Sequence, residues 1–345
     1  MTKKVKYVDF WKGFDPKNNF LQQILDVAGC DTELSEEPDY LFCSVFGHED
    51  LDKKYDNCVK IFFTGENLCP DFNLYDYAIG FEYLDFGDRY LRYPLYYAYP
   101  KELWDAFMSK HVDSKEKLAK KSGFCSFVYS NGKGDSIRQE FFQKLSEYKK
   151  VDSGGRYLNN IGLPKGVKDK IEFESKHKFS IAFENSSHPG YSTEKLIQSF
   201  AAGTVPIYWG DSRIKEVFDS ESFVFVNDCE SLDAVIDKIK EIDQNDELYL
   251  KYLGTPALLD PKKFDREKQK KQLEEFLRSI FEQDKEKAFR KNMLIWGERY
   301  LDEMRMAFDA LADKANKTYT EKVLYTLRRE GFSGILKRIK EKFIK

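Results

Sequence analysis

Residues 183–195, FENSSHPGYSTEK, crowd acids, an amide, a phenol and a cation between two apolar runs. Glu184 and Asn185 directly follow the strand-like KFSIAF. Ser192, Thr193 and Glu194 read as a helix start, a hydroxyl cap followed by an acid in the first turn. A well-capped loop explains those groups but not Lys195, because a lysine in the first turn opposes the helix dipole. An anion such as a diphosphate sharing that turn would account for it.

Residues 123–145, GFCSFVYSNGKGDSIRQEFFQKL, repeat the pattern of strand, glycine-rich polar loop and helix. Arg138 falls near the helix start, where a guanidinium can clamp a phosphate through two parallel hydrogen bonds. Alone it would read as a solvent-facing arginine; together with Lys195 it makes two cations at two strand-to-helix turns. In residues 61–81, IFFTGENLCPDFNLYDYAIGF, Glu66 stands just after a strand and a glycine. A carboxylate there can act as a general base, or be only a turn residue.

These turns need a scaffold that brings them together. Strand-like runs recur at 4–10, 39–46, 58–65 and 77–81, with helical spacing at Leu21, Ile24, Leu25 and Val27 between the first two. After the Lys-rich stretch 109–123 a second series follows at 124–130, 178–184, 204–209 and 222–226, then a helix carrying Leu232, Val235, Ile236, Ile239 and Ile242 on one face. This βαβ rhythm predicts two α/β units with parallel sheets, and ligands in such sheets sit beyond the carboxyl ends of the strands. Neither a GxGxxG nor a GxxxxGK[ST] loop is present, which argues against ordinary dinucleotide or P-loop chemistry.

Composition narrows the classes further. A length of 345 residues suggests two domains and a cleft, and a net charge of −3 argues against a nucleic-acid-binding surface. The 21 Tyr and 29 Phe would suit sugar or base stacking, although aromatic cores are the plainer reading. The six cysteines show no C-x-x-C pair and read as reduced, buried thiols. The four histidines lack ligand spacing, and Asp50-Leu51-Asp52, which formally matches a D-x-D metal pattern, reads as a solvated acidic loop. The uncharged run 196–210 is shorter than the roughly 20 residues a spanning helix needs. With no secretory pattern at the N-terminus, the expectation is an intracellular protein. Residues 321–345 carry eight basic and three acidic side chains. In 334–345, Ile335, Leu336, Ile339 and Phe343 share a helical face flanked by lysines, which suits either an anionic membrane surface or packing on the domains.

The motifs FTGEN, YAIGF, DRYLRYPLYY and FENSSHPGYSTEKLIQSFAAGTVPIYWGD together resemble the bacterial α1,3/4-fucosyltransferases, over roughly residues 58 to 230. The resemblance implies a GT-B fold, two Rossmann-like α/β domains facing a cleft with a C-terminal helical tail. The expected division is an acceptor-binding domain over 1–122, a GDP-fucose-binding domain over 123–300 and a helical tail over 301–345 with a basic amphipathic end. It implies inverting transfer from GDP-β-L-fucose to the 3- or 4-hydroxyl of N-acetylglucosamine in lactosamine-type glycans, making Lewis-type structures. On that resemblance Glu66 is the base, and Arg138 and Lys195 hold the diphosphate in place of a metal. Glu194 binds the ribose, and Asn185 and Tyr191 line the same pocket. No metal or other cofactor is expected to be required. A cytoplasmic location with peripheral contact at the inner membrane face through 334–345 is expected, and Arg138→Ala should cut turnover with the fold intact. The competing readings are a GT-B transferase using another nucleotide sugar or linkage, and a non-catalytic glycan-binding relative.

Overall fold

The computed structural model describes residues 2–316, so the basic stretch 334–345 lies outside the described residues. The chain opens with β1 (Lys3–Val8), α1 (Phe20–Val27), β2 (Thr32–Leu34), β3 (Tyr40–Cys43), β4 (Val59–Phe63), β5 (Tyr77–Gly80) and β6 (Tyr90–Arg92). These strands form a parallel sheet in the order β2-β1-β3-β4-β5-β6. Runs such as YLFC and VKIFF are buried along their whole length, as strands covered on both faces must be. Asn19 caps α1 by accepting the Gln22 N–H, and Leu21, Ile24 and Leu25 face the sheet.

Helices α2 (Lys101–Met108) and α3 (Ser114–Ala119) lead into the second unit. It contains β7 (Gly123–Phe127), α4 (Ile137–Tyr148), β8 (Val151–Ser153), α5 (Lys170–Ser175), β9 (His177–Phe183), α6 (Glu194–Ala201), β10 (Val205–Trp209), β11 (Val224–Phe225), α7 (Leu232–Gln244) and α8 (Asp246–Gly254). Its sheet is again parallel, in the order β11-β10-β9-β7-β8. Both sheets therefore reverse their winding once, between β1 and β3 and between β7 and β9. Those reversals are where doubly wound sheets open a crevice for ligands. Two such units facing each other make the GT-B arrangement.

The chain then returns to the first sheet. In α9 (Arg266–Phe281) the stripe Leu273, Leu277 and Ile280 is fully buried, and Phe281 stacks on Tyr40 at 4.5 Å. Beyond α10 (Lys285–Ala288), Lys291 is buried against Asp76 at 2.9 Å, and α11 (Trp296–Asn316) sets Leu301 into the first unit's core. Residues 266–300 thus pack on the first sheet, against the expectation of a single unit over 123–300. A helix as charged as REKQKKQLEEFLRSIF reveals its destination only through the narrow apolar stripe that needs a partner.

Two sequence expectations are corrected here. Asp50 is not in a solvated loop: it is 3% exposed, accepts the Tyr75 hydroxyl at 3.1 Å, and its backbone N–H donates to Asp9. Burial pushes its carboxyl up to about 6, with Lys60 opposing. Cys69, unlike Cys43, Cys58 and Cys125, is exposed.

Lys110, 1% exposed, ties the segment after α2 to the second unit by donating to the Tyr252 carbonyl at 2.9 Å. Burial, aided by Lys117, pushes its ammonium down to about 7; burial moves Lys121 in the same direction. The unfolded chain keeps the Lys110 proton up to the ordinary lysine range, whereas the folded chain releases it near 7. Stability should therefore rise between pH 7 and pH 9, by up to about 1.4 kcal/mol per pH unit from this residue. Urea denaturation at the two pH values checks this: Lys110→Met should reduce the rise, leaving the part due to Lys121, and an unchanged rise would exclude Lys110 as a source.

Candidate active site

Glu184 directly follows β9 and is fully buried. Its carboxylate accepts the Thr193 N–H at 2.8 Å, the Thr193 hydroxyl at 2.7 Å and the Lys195 ammonium at 2.9 Å. The start of α6 is thus held by an acid from the preceding strand, not by its own hydroxyls, and Thr193 makes no side-chain cap bond. Lys195 has its partners within the chain: Glu184, the Thr193 hydroxyl at 2.8 Å and Glu194 at 3.8 Å. An anion is not needed to explain a cation in that turn. Burial works against the Lys195 charge, but Glu184 and Glu194 outweigh it and raise its pKa above the ordinary lysine value. Burial likewise opposes ionisation of Glu194, but Lys195 and Lys170 hold that carboxyl below the usual range.

Asn185, the next residue, faces the other way and joins the two units. Its Oδ1 accepts from Arg138 at 2.7 Å, and its Nδ2 donates to Glu66 Oε2 at 3.3 Å. Arg138 is not solvent-facing: it is 2% exposed, donates to the Phe183 carbonyl at 2.9 Å and stacks on Tyr129 at 4.5 Å. Its Nε is buried with no partner among the described residues. Because Arg138 holds the end of β9 in place, Arg138→Ala would perturb the fold as well as the site, contrary to the sequence expectation. Glu66 follows β4, and its backbone N–H donates to the Thr64 hydroxyl at 2.9 Å. It lines a cavity of about 320 Å3 with Trp11, Ser44, Phe46, Phe63, Leu95 and Tyr99, and Glu194 closes the cavity from the second unit.

Tyr191 does not join this cavity; it is 1% exposed and lies against Phe81 at 5.0 Å. Residues 186–191 dock on the first unit instead. Ser186 accepts from Asn67 at 2.6 Å, and His188 meets Glu82 at 3.0 Å. Gly190, at φ +86°, leaves room for the Phe81 carbonyl, which an added Cβ would meet at 2.6 Å. The structure therefore joins Glu66, Asn185 and Arg138 by hydrogen bonds, sets Glu194, beside Lys195, in the lining of the cavity that holds Glu66, and buries Tyr191 against Phe81.

The family model "Alpha-(1,3)-fucosyltransferase FucT N-terminal domain" matches residues 5–99, and "Glycosyltransferase family 10 (fucosyltransferase) C-term" matches 118–293. The chain belongs to glycosyltransferase family 10. This family 10 chain is 37% identical over 282 residues to the alpha-(1,3)-fucosyltransferase FucT of Helicobacter pylori, covering 72% of the chain and 58% of that enzyme. It is 30% identical over 192 residues to a 3-galactosyl-N-acetylglucosaminide 4-alpha-L-fucosyltransferase of Homo sapiens, covering 53% of the chain and 52% of the relative. The chain thus spans little more than half the length of these curated relatives. A crystal structure of an alpha1,3-fucosyltransferase superimposes with a TM-score of 0.68 at 34% identity, covering 82% of this chain and 91% of that one. The same comparison with a structure containing GDP-fucose gives 0.65 at 31%, with the same coverage of both chains. Among the described residues, no helix of the family 10 chain is long and apolar enough to cross a membrane.

The residue that sequence reasoning left without a role is Glu184. Its signal was present, an acid closing an apolar strand eleven positions before a lysine, but only the fold shows that the two meet. Removing the acid would leave a largely buried ammonium short of its main partner. Glu184→Ala should therefore cost about 3–5 kcal/mol. Chemical denaturation measures this, and a loss below 1 kcal/mol would show that the pair does not hold α6.

Proposed function

We propose that this chain is an inverting fucosyltransferase that moves L-fucose from GDP-β-L-fucose to the 3-hydroxyl of N-acetylglucosamine in lactosamine-type glycans, giving Lewis-type products. The observation that carries the reading is the hydrogen-bonded run Glu66–Asn185–Arg138. It sets a carboxylate on one side of the cleft and a guanidinium on the other. In this reaction the acceptor oxygen attacks C1 of fucose from the face opposite GDP. The new C–O bond forms as the bond from C1 to the phosphate oxygen breaks, and the acceptor proton passes to Glu66. Negative charge grows on the departing diphosphate, where Arg138 and Lys195 offset it. Glu194 accepts hydrogen bonds from the ribose hydroxyls, Asn185 orients the base against the cation, and Tyr191 supports the pocket from within its wall. Among the described residues the buried Arg138 Nε has no hydrogen-bond partner, which leaves the guanidinium short of one of its bonds.

With these cations in place the reaction needs no metal ion. Incubation with GDP-fucose and N-acetyllactosamine, followed by linkage analysis of the product, tests the whole proposal. The expected product carries an α1,3-linked fucose. Glu66→Gln should lower turnover by about 10²- to 10⁴-fold, and EDTA should leave the native rate unchanged. Donor hydrolysis without transfer to any acceptor of a glycan panel would overturn the assignment, and loss of activity in EDTA would overturn its metal independence.

We further propose that the basic sequence of 334–345 makes a peripheral contact with an anionic membrane on the cytoplasmic side. Vesicles containing phosphatidylserine should co-sediment the full chain but not a chain ending at residue 333, with no sedimentation on neutral vesicles. Equal sedimentation of the two chains would overturn the contact.

A further inference from the structure

The first sheet has its own winding reversal, between β1 and β3, and the loops leaving those two strands carry exposed aromatic rings. Trp11 follows β1 and is 43% exposed; Phe46 follows β3 and is 53% exposed. Both line the cavity that holds Glu66. An exposed tryptophan and phenylalanine at a cavity mouth, beside a polar reactive group, mark a surface kept apolar for a ligand. Glu194 approaches the cavity from the second unit, so the apolar wall lies on the first-unit side with Glu66. A pyranose presents just such a mixed surface, with C–H bonds on its faces and hydroxyls around its rim.

The Trp11 ring is packed, and both loops are tied down. Phe14 stacks on Phe10 at 4.1 Å and meets Trp11 edge-on at 5.0 Å. Asp9, with φ at 61°, turns the chain between β1 and these rings. Its carboxylate accepts the N–H groups of Glu49 at 3.0 Å and Asp50 at 2.9 Å, while its carbonyl accepts the Phe46 N–H at 2.8 Å. Gly47 permits this clamp, since a Cβ there would lie 2.1 Å from Asp9 Oδ1. One residue thus fixes both loops.

Resting on the transferase reading, we propose that Trp11 and Phe46 form the seat for the acceptor's sugar ring, taking the C–H face of a pyranose beside Glu66, and that Asp9 is the positioning residue for both rings. Steady-state kinetics with GDP-fucose and N-acetyllactosamine test it, after transfer by the native chain is established; lack of native transfer would refute the function, not the seat. Trp11→Ala and Phe46→Ala should each raise the acceptor KM at least tenfold, with the GDP-fucose KM within twofold of native. Trp11→Phe should recover most of the loss. Asp9→Ala should raise the acceptor KM in the same selective way, and Asp9→Asn, which keeps an acceptor and tolerates that backbone angle, should rescue it in part. An acceptor KM within twofold of native in both ring variants, or a donor KM rising in step, overturns the proposal. A measurement independent of turnover is tryptophan emission on titration of N-acetyllactosamine. The native change should be absent in Trp11→Phe, and its persistence there would overturn contact with Trp11.

Discussion

A carboxylate with no exposure to water must be answered by hydrogen bonds and charge, and Glu184 is answered by two groups of Thr193 and by Lys195. That requirement fixes where α6 begins relative to the end of β9. Once β9 and α6 are locked, Asn185 has one direction left, toward Arg138 and Glu66. The constraint reaches β10 as well: Gly210 sits at φ +155°, and a Cβ there would come within 2.5 Å of the Glu184 Cγ. The acid that touches neither the cavity nor Glu66 therefore sets the geometry of the groups that do.

The cleft divides its chemistry between two equivalent places in two similar sheets. The reversal between β7 and β9 carries Arg138, Asn185, Glu194 and Lys195, a polar and charged set with low tolerance for movement. The reversal between β1 and β3 carries Trp11 and Phe46, with Glu66 one strand further along. Charged groups thus gather at one reversal, and apolar surface beside a carboxylate at the other. The loop 186–191, docked on Phe81 and Glu82, keeps these two sides in register.

Much of this was legible in the sequence because parallel strands buried on both faces read as uninterrupted apolar runs. VKIFF, FCSF and VPIYW became β4, β7 and β10 near the limits their composition suggested. The short strands β2, β6 and β8, three residues each and partly polar, carry no such signal, since three residues are too few to show an apolar run or an alternation. The site residues could be placed at strand ends from sequence, but not their partners. Lys195 looked like a cation awaiting an anion because Glu184 lies eleven residues away, and the burial of Arg138 was hidden because its stacking partner Tyr129 and the Phe183 carbonyl come from other elements. Asp50 and the return of α9 were misjudged for the same reason: charged sequence hides burial when the compensating groups are distant in the chain.

Calorimetric titration of GDP separates the roles of the two reversals. Glu66→Gln and Lys195→Met, each first shown to melt cooperatively, would be compared with the native chain. GDP affinity should stay within twofold of native in Glu66→Gln and fall at least tenfold in Lys195→Met. Equal weakening in both variants, or undiminished binding in Lys195→Met, would contradict that separation.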